Sequence, residues 1–207
     1  TFTLVFLIAL ALTTLTQIWL ATRHIRHIRA HQNTVPEKFS SQINLADHQK
    51  AADYTCAKTR TGYPGVALQV ALLLIFTLGG GLSALNSSWA NWLSDPLAHG
   101  MALIISTFLL MGIAEVPLSY YRTFVIEEQY GFNKMTRAMF FTDLIKQSLL
   151  GLLLGAPLLF CVLWLMEKMG ENWWLYAWLA WIAFNLVVLA IYPTWIAPLF
   201  NKFTPLE

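Results

Sequence analysis

The chain has 207 residues, of which 57% are hydrophobic and 12% charged, and its formal net charge is +2. Soluble domains carry about 25% charged residues, so the composition excludes an ordinary soluble core. A charge this small gives no electrostatic footprint for nucleic acid, and none is expected as a partner.

Five stretches, 1–22, 63–94, 96–114, 147–166 and 172–201, contain no Asp, Glu, Lys or Arg. A helix needs about 20 mostly apolar residues to cross the hydrocarbon core. The expected fold is therefore all-α: a polytopic membrane helical bundle of about five transmembrane helices. These are placed at about 2–21, 64–85, 96–118, 144–166 and 173–192, with further cytoplasmic helices in loops one and three. Residues 1–207 are read as one transmembrane domain whose first partner is the lipid bilayer.

In chain order, the first helix has no basic residues before it, and Arg23, Arg26 and Arg29 follow it. That order suits a retained helix with its N-terminus outside rather than a signal peptide. His24, His27 and His31 lie in the same basic run, and His27 and His31 share a helix face. Zinc needs three or four protein ligands and the arginines would repel it, so the run reads as a basic segment near anionic headgroups. Further along loop one, Asn44 precedes a helical run expected at about 45–60, which a short polar side chain can cap. Cys56 and Cys161 fall in different surroundings and imply no disulfide framework. Both read as small buried apolar residues.

The second helix contains Gly79, Gly80 and Gly81, which weaken it locally. In the third, Glu115 is the deepest acidic residue, expected to reach the headgroups or pair with Arg122. The fourth carries Gly151 and Gly155, a smooth groove for another helix, and Pro157, which should kink it. Lys146 at its mouth is expected to snorkel outward. Basic residues are dense in loop one and absent from loop two. Positive loops stay cytoplasmic, so residue 207 is expected inside.

No H-E-x-x-H, G-x-S-x-G, P-loop or G-x-G-x-x-G pattern occurs. Two segments carry dense polar and turn chemistry instead. In the first, the adjacent carboxylates Glu127 and Glu128 should be paired, with Arg122, Lys134 or Arg137 as the candidates. Gly131 can supply a turn, and Asn133 can cap a helix starting at Lys134. In the second, Pro193, Pro198 and Pro205 should prevent a regular helix. Its path is expected to be irregular and to meet loop three on the cytoplasmic side.

These segments resemble the type I CAAX prenyl endopeptidases, integral-membrane zinc metallopeptidases of metallopeptidase family forty-eight. The resemblance rests on Glu127, Glu128, Gly131, Phe132, Asn133 and Lys134, and on Asp143-Leu144-Ile145-Lys146. It continues through Tyr192-Pro193 and residues 196–203, and the run from Asp47 to Thr55 resembles the bacterial branch. It implies a seven-helix enzyme enclosing a chamber, in which zinc polarises a scissile carbonyl and activates water. The zinc ligands belong to a later segment, so the natural protein is expected to continue into its own C-terminal catalytic domain. No catalytic, cofactor-binding or metal residue is expected within 1–207. The fragment alone should be inactive, with a peptide as the substrate of the intact protein and a bacterial inner membrane as its location. Within this half, Glu127, Glu128, Asn133, Lys134, Asn201 and Lys202 are the candidate rim or chamber residues. Their plain structural reading is as staples between loop three and the tail. The competing functions are a non-catalytic membrane scaffold or chaperone, and a small transporter using Glu115, the triple glycine and Pro157. The transporter is disfavoured by the lack of paired broken helices.

Overall fold

The structure is a computed structural model describing residues 2–39 and 41–200. Every regular element among the described residues is helical. The helices are α1 Phe2–His31, α2 Leu45–Arg60, α3 Gly62–Thr77, α4 Gly81–Ala90, α5 Pro96–Tyr121, α6 Arg137–Lys168, α7 Trp173–Ile191 and α8 Ala197–Phe200. Four continuous helical stretches are long and apolar enough to cross a membrane, and the α2–α3 and α4 pair makes five if it crosses as one bent span. The surface suits a lipid solvent: Leu153 is 70% and Leu189 72% exposed, and no large side chain among the described residues is fully buried. The all-α membrane fold is as expected.

The described residues fall into two compact units. The first comprises residues 1–82 and 109–134. Its α1 runs on to His31 rather than stopping near 21. Arginine is a good helix former and nothing between Ala21 and His31 breaks a helix. Within the apolar part, the hydroxyls of Thr14, Thr16 and Thr22 donate to Leu10, Leu12 and Ile18 carbonyls at 2.7–2.8 Å, so these polar groups are satisfied inside their own helix. Thr22 Oγ1 also lies 2.9 Å from Tyr63 Oη, joining α1 to α3.

Helix α2 begins where the sequence places it. Asn44 Oδ1 accepts from the Asp47 amide at 2.7 Å, and Asn44 Nδ2 donates to Asp47 Oδ2 at 2.8 Å. The second helix expected at 64–85 is instead broken at residues 78–80. A Cβ on Gly79 would stand 2.8 Å from the Ile75 carbonyl oxygen, and Gly80 has φ +79°. Only glycine meets both conditions without strain, so the triple glycine ends a helix rather than merely softening one.

The second unit comprises residues 83–108 and 135–207. Asp95 starts α5, its carboxylate accepting from the Ala98 amide at 2.7 Å. Trp89 Nε1 donates to Ser106 Oγ at 3.0 Å, tying α4 to α5. Helices α6 and α7 form a hairpin over a turn at Gly170–Asn172, with Gly170 at φ +55°. Helix α6 starts at Arg137, before the expected 144, and runs unbroken through Pro157. A Cβ on Gly151 or Gly155 would meet nothing within 4 Å, so among the described residues neither glycine is a close helix contact. The close approach lies at Gly100, whose added Cβ would touch Leu163 at 3.4 Å.

Up to Phe200 the tail corrects another expectation, while Pro205 lies outside the described residues. Helical geometry continues through Pro193 in a wide π-type turn, Tyr192–Ile196, and on into α8. The Ala197 amide donates to the Tyr192 carbonyl, a five-residue step. The widened turn accommodates Pro193 and Pro198, which have no amide to donate to the preceding turn. Lys146 donates to the Leu199 carbonyl at 3.3 Å while its Nζ lies 3.8 Å from Asp143. It is thus half-exposed but engaged on the C-terminal end of α8, rather than simply snorkelling.

Candidate functional site

Loop three is built on the end of the helix that α5 begins. After Tyr121 the backbone widens into a π-type turn over Arg122–Glu127, and helix three therefore runs well past the expected residue 118. The Phe132 amide donates to the Glu127 carbonyl at 2.8 Å, and the Gly131 amide to the Glu128 carbonyl at 3.0 Å. These nested bonds, with Gly131 at φ +80°, are those of a glycine-terminated helix. The Glu-Glu-x-x-Gly-Phe spacing is thus first a helix stop: the acidic pair supplies the two carbonyls, and Gly131 the left-handed turn.

The side chains close the same turn. Asn133 Nδ2 donates to Glu128 Oε2 at 3.2 Å, and the Asn133 amide reaches the Glu127 carbonyl at 3.2 Å. Asn133 therefore faces back to the acidic pair and does not cap the next helix. That cap is Thr136, whose hydroxyl accepts from the Met139 amide at 3.2 Å. Arg122, one of the three partners expected for the acidic pair, instead donates from Nη2 to the Thr61 carbonyl at 3.2 Å. Glu128 and Lys134 are exposed and Glu127 is half-buried.

Loop one supplies the other wall. Tyr54 of α2 packs against Tyr130 edge-on at 5.4 Å between centroids, and against Phe132 at 4.6 Å. Lys58, one turn on, places its ammonium 5.7 Å from the Tyr54 ring centroid. Burial, then the Asp53 carboxylate, then Cys56 hold the Tyr130 phenol above its usual 10. The sequence signal for Tyr54 was an aromatic ring on a helix otherwise rich in charge, which gives no hint of its distant partner. Of the candidate residues, the structure brings Glu127, Glu128 and Asn133 into one turn with Lys134 adjoining. Asn201 and Lys202 lie outside the described residues.

Among the described residues no three His, Cys, Asp or Glu side chains converge to hold a metal ion. Zinc needs three or four protein ligands, so the metal that the resemblance implies does not fit these residues.

The family described as CAAX prenyl protease N-terminal, five membrane helices, matches residues 24–202. The chain belongs to that family. It is 34% identical over 183 residues to the CAAX prenyl protease 1 homolog of Caenorhabditis elegans, covering 87% of this chain and 40% of that one. Over 206 residues it is 39% identical to the homolog of Taenia solium, covering 90% of this chain and 43% of the other. The crystal structure of S. mikatae Ste24p matches 96% of this chain and 47% of its own, with TM-score 0.86 and 25% identity. The chain thus spans less than half the length of these relatives. They are eukaryotic, so the resemblance of Asp47–Thr55 to a bacterial branch, and the bacterial inner membrane, find no support in them.

Proposed function

We infer that this chain is the membrane half of a zinc metalloendopeptidase that cleaves peptides or CAAX-type C-termini at the cytoplasmic face of a membrane. The observation that carries the reading is the family match over residues 24–202, joined to a fold shared with Ste24p over nearly the whole chain. In this reading the helices form chamber wall, and loop three contributes part of the rim. The zinc and its ligands belong to the rest of the enzyme, and no step of hydrolysis runs through the described residues. The N-terminus lies outside and the tail inside, as the basic density of loop one favours.

For the rim, Glu128 and Lys134 are the residues best placed to meet a substrate, because both are exposed. The Glu128–Asn133 bond favours a second role, in which the acidic pair holds the turn. A Glu128→Ala variant of the full-length protein separates the two. Normal folding with peptide cleavage reduced by about tenfold or more supports the rim. Lost folding supports the clasp, and unchanged cleavage with unchanged stability removes Glu128 from both roles.

A further inference from the structure

A cleft of about 160 Å³ lies within the first unit, between α3 and α5. It is separate from the loop-three turn. Its polar lining is Gln69 from α3, Glu115 and Ser119 from α5 and Arg122 from the start of the π-type turn that follows α5, and Leu68 and Leu118 are its apolar walls. Glu115, Ser119 and Arg122 are spaced four and three apart and so lie along one side of this continuous helical stretch. Gly65 lets the guanidinium lie close across α3, since an added Cβ there would stand 2.9 Å from Arg122 Nη2. That nitrogen donates to the Thr61 carbonyl, which fixes one end of the group. A guanidinium carries five N–H donors in a rigid fork, so this anchoring uses one edge and orients the rest.

Depth decides what the cleft can meet. The α5 span starts at Pro96 and continues to Glu127. The hydrocarbon core takes about 20 residues of helix, which from Pro96 ends at Glu115. Glu115 to Arg122 then covers about 10 Å at 1.5 Å per residue, at the level of the lipid headgroups. A carboxylate exposed on a span is costly in hydrocarbon but not in this zone. The cleft therefore presents an oriented cation and an anion about two turns apart, with neutral hydrogen-bonding groups between them, to headgroup chemistry.

We propose that this cleft is a lipid site selective for a phosphate carrying a primary ammonium, the headgroup of phosphatidylethanolamine. Arg122 binds the phosphate, Glu115 accepts from the ammonium, and Gln69 and Ser119 complete the hydrogen bonding. A quaternary choline has no N–H for Glu115, and a glycerol headgroup has no cation, so both bind less tightly. The site lies outside the hydrolytic reading above and does not depend on it.

The test is native mass spectrometry of the full-length protein in detergent, titrated with phosphatidylethanolamine, phosphatidylcholine or phosphatidylglycerol of equal chain length. Retention of the ethanolamine lipid should exceed both others by about tenfold, the worth of one charge-assisted hydrogen bond. Glu115→Gln should remove that preference without disturbing the Arg122–Thr61 bond, and Arg122→Gln should weaken all three lipids. Equal retention of the three lipids, or an unchanged preference in Glu115→Gln, overturns the proposal. So does soluble phosphoethanolamine bound as tightly as the lipid. Thermal unfolding of each variant separates lost binding from lost folding, and Glu115→Gln decides the matter even if Arg122→Gln fails to fold.

Discussion

Loop three is held by hydrogen bonds that can each be named, whereas the α6–α7 hairpin is held by length and apolarity. In loop three a single glycine conformation, two nested backbone bonds and the Glu128–Asn133 pair fix the turn. In the hairpin many long side chains face outward, as with Leu153 and Leu189, although Phe140 and Leu165 are buried, and few polar groups are available to specify a partner. A polar segment competes with water for every hydrogen bond and so needs the right residue at each position. A span in hydrocarbon satisfies its own backbone and tolerates many apolar residues at a given site. The two regions should therefore fail in different ways.

The largest effect is expected from a charge on the hairpin. Leu153→Asp places a carboxylate near the middle of α6, at a cost of about 2.5–3.5 kcal/mol. Folded, monodisperse protein in detergent extracts should fall severalfold, while Leu153→Ala should leave the yield nearly unchanged. Equal yields for the two variants would mean that this surface does not face lipid.

Loop three should be sensitive in the opposite sense, to shape rather than polarity. Gly131→Ala forces a side chain into φ +80°, at a cost of roughly 1–2 kcal/mol. The thermal midpoint should drop, and Gly131→Asn should recover part of the loss because Asn tolerates that region better. Identical midpoints for the Ala and Asn variants would break the account of this helix stop.

The difference also explains what was legible in the sequence. The number of spans and the Asn44 cap could be read directly, because apolar length and a short-range cap are local signals. The boundaries could not. Helix α1 continues past the membrane because its basic run is itself helix-forming, and the chain stays helical to Phe200 because the wide turn at Tyr192–Ile196 accommodates Pro193. In the candidate site the acidic pair and Gly131 were legible as a turn. The true partners were not, since Asn133 folds back on Glu128 and Tyr54 arrives from another loop. Pairing by opposite charge offered Arg122, Lys134 and Arg137, and Arg122 is instead anchored on the Thr61 carbonyl.

The smallest expected effect is a titration. The Tyr130 phenol is raised above its ordinary 10 by burial and then by Asp53. An acid with a raised native pKa favours folding fully below its unfolded value. That contribution is lost as pH rises through about 10 and on toward the native pKa. Ultraviolet difference titration of Tyr130→Phe should lose a component that ionises late in the parent protein. A titration curve unchanged by the substitution would contradict the burial of Tyr130 beside Asp53.

The most direct test of the functional account is hydrolysis of a prenylated C-terminal peptide by the full-length protein in lipid vesicles, with and without a zinc chelator. Cleavage that is abolished by the chelator and restored by zinc is the predicted result. No cleavage by a well-folded protein, or cleavage indifferent to chelation, would contradict the assignment of this chain to the membrane half of a zinc endopeptidase.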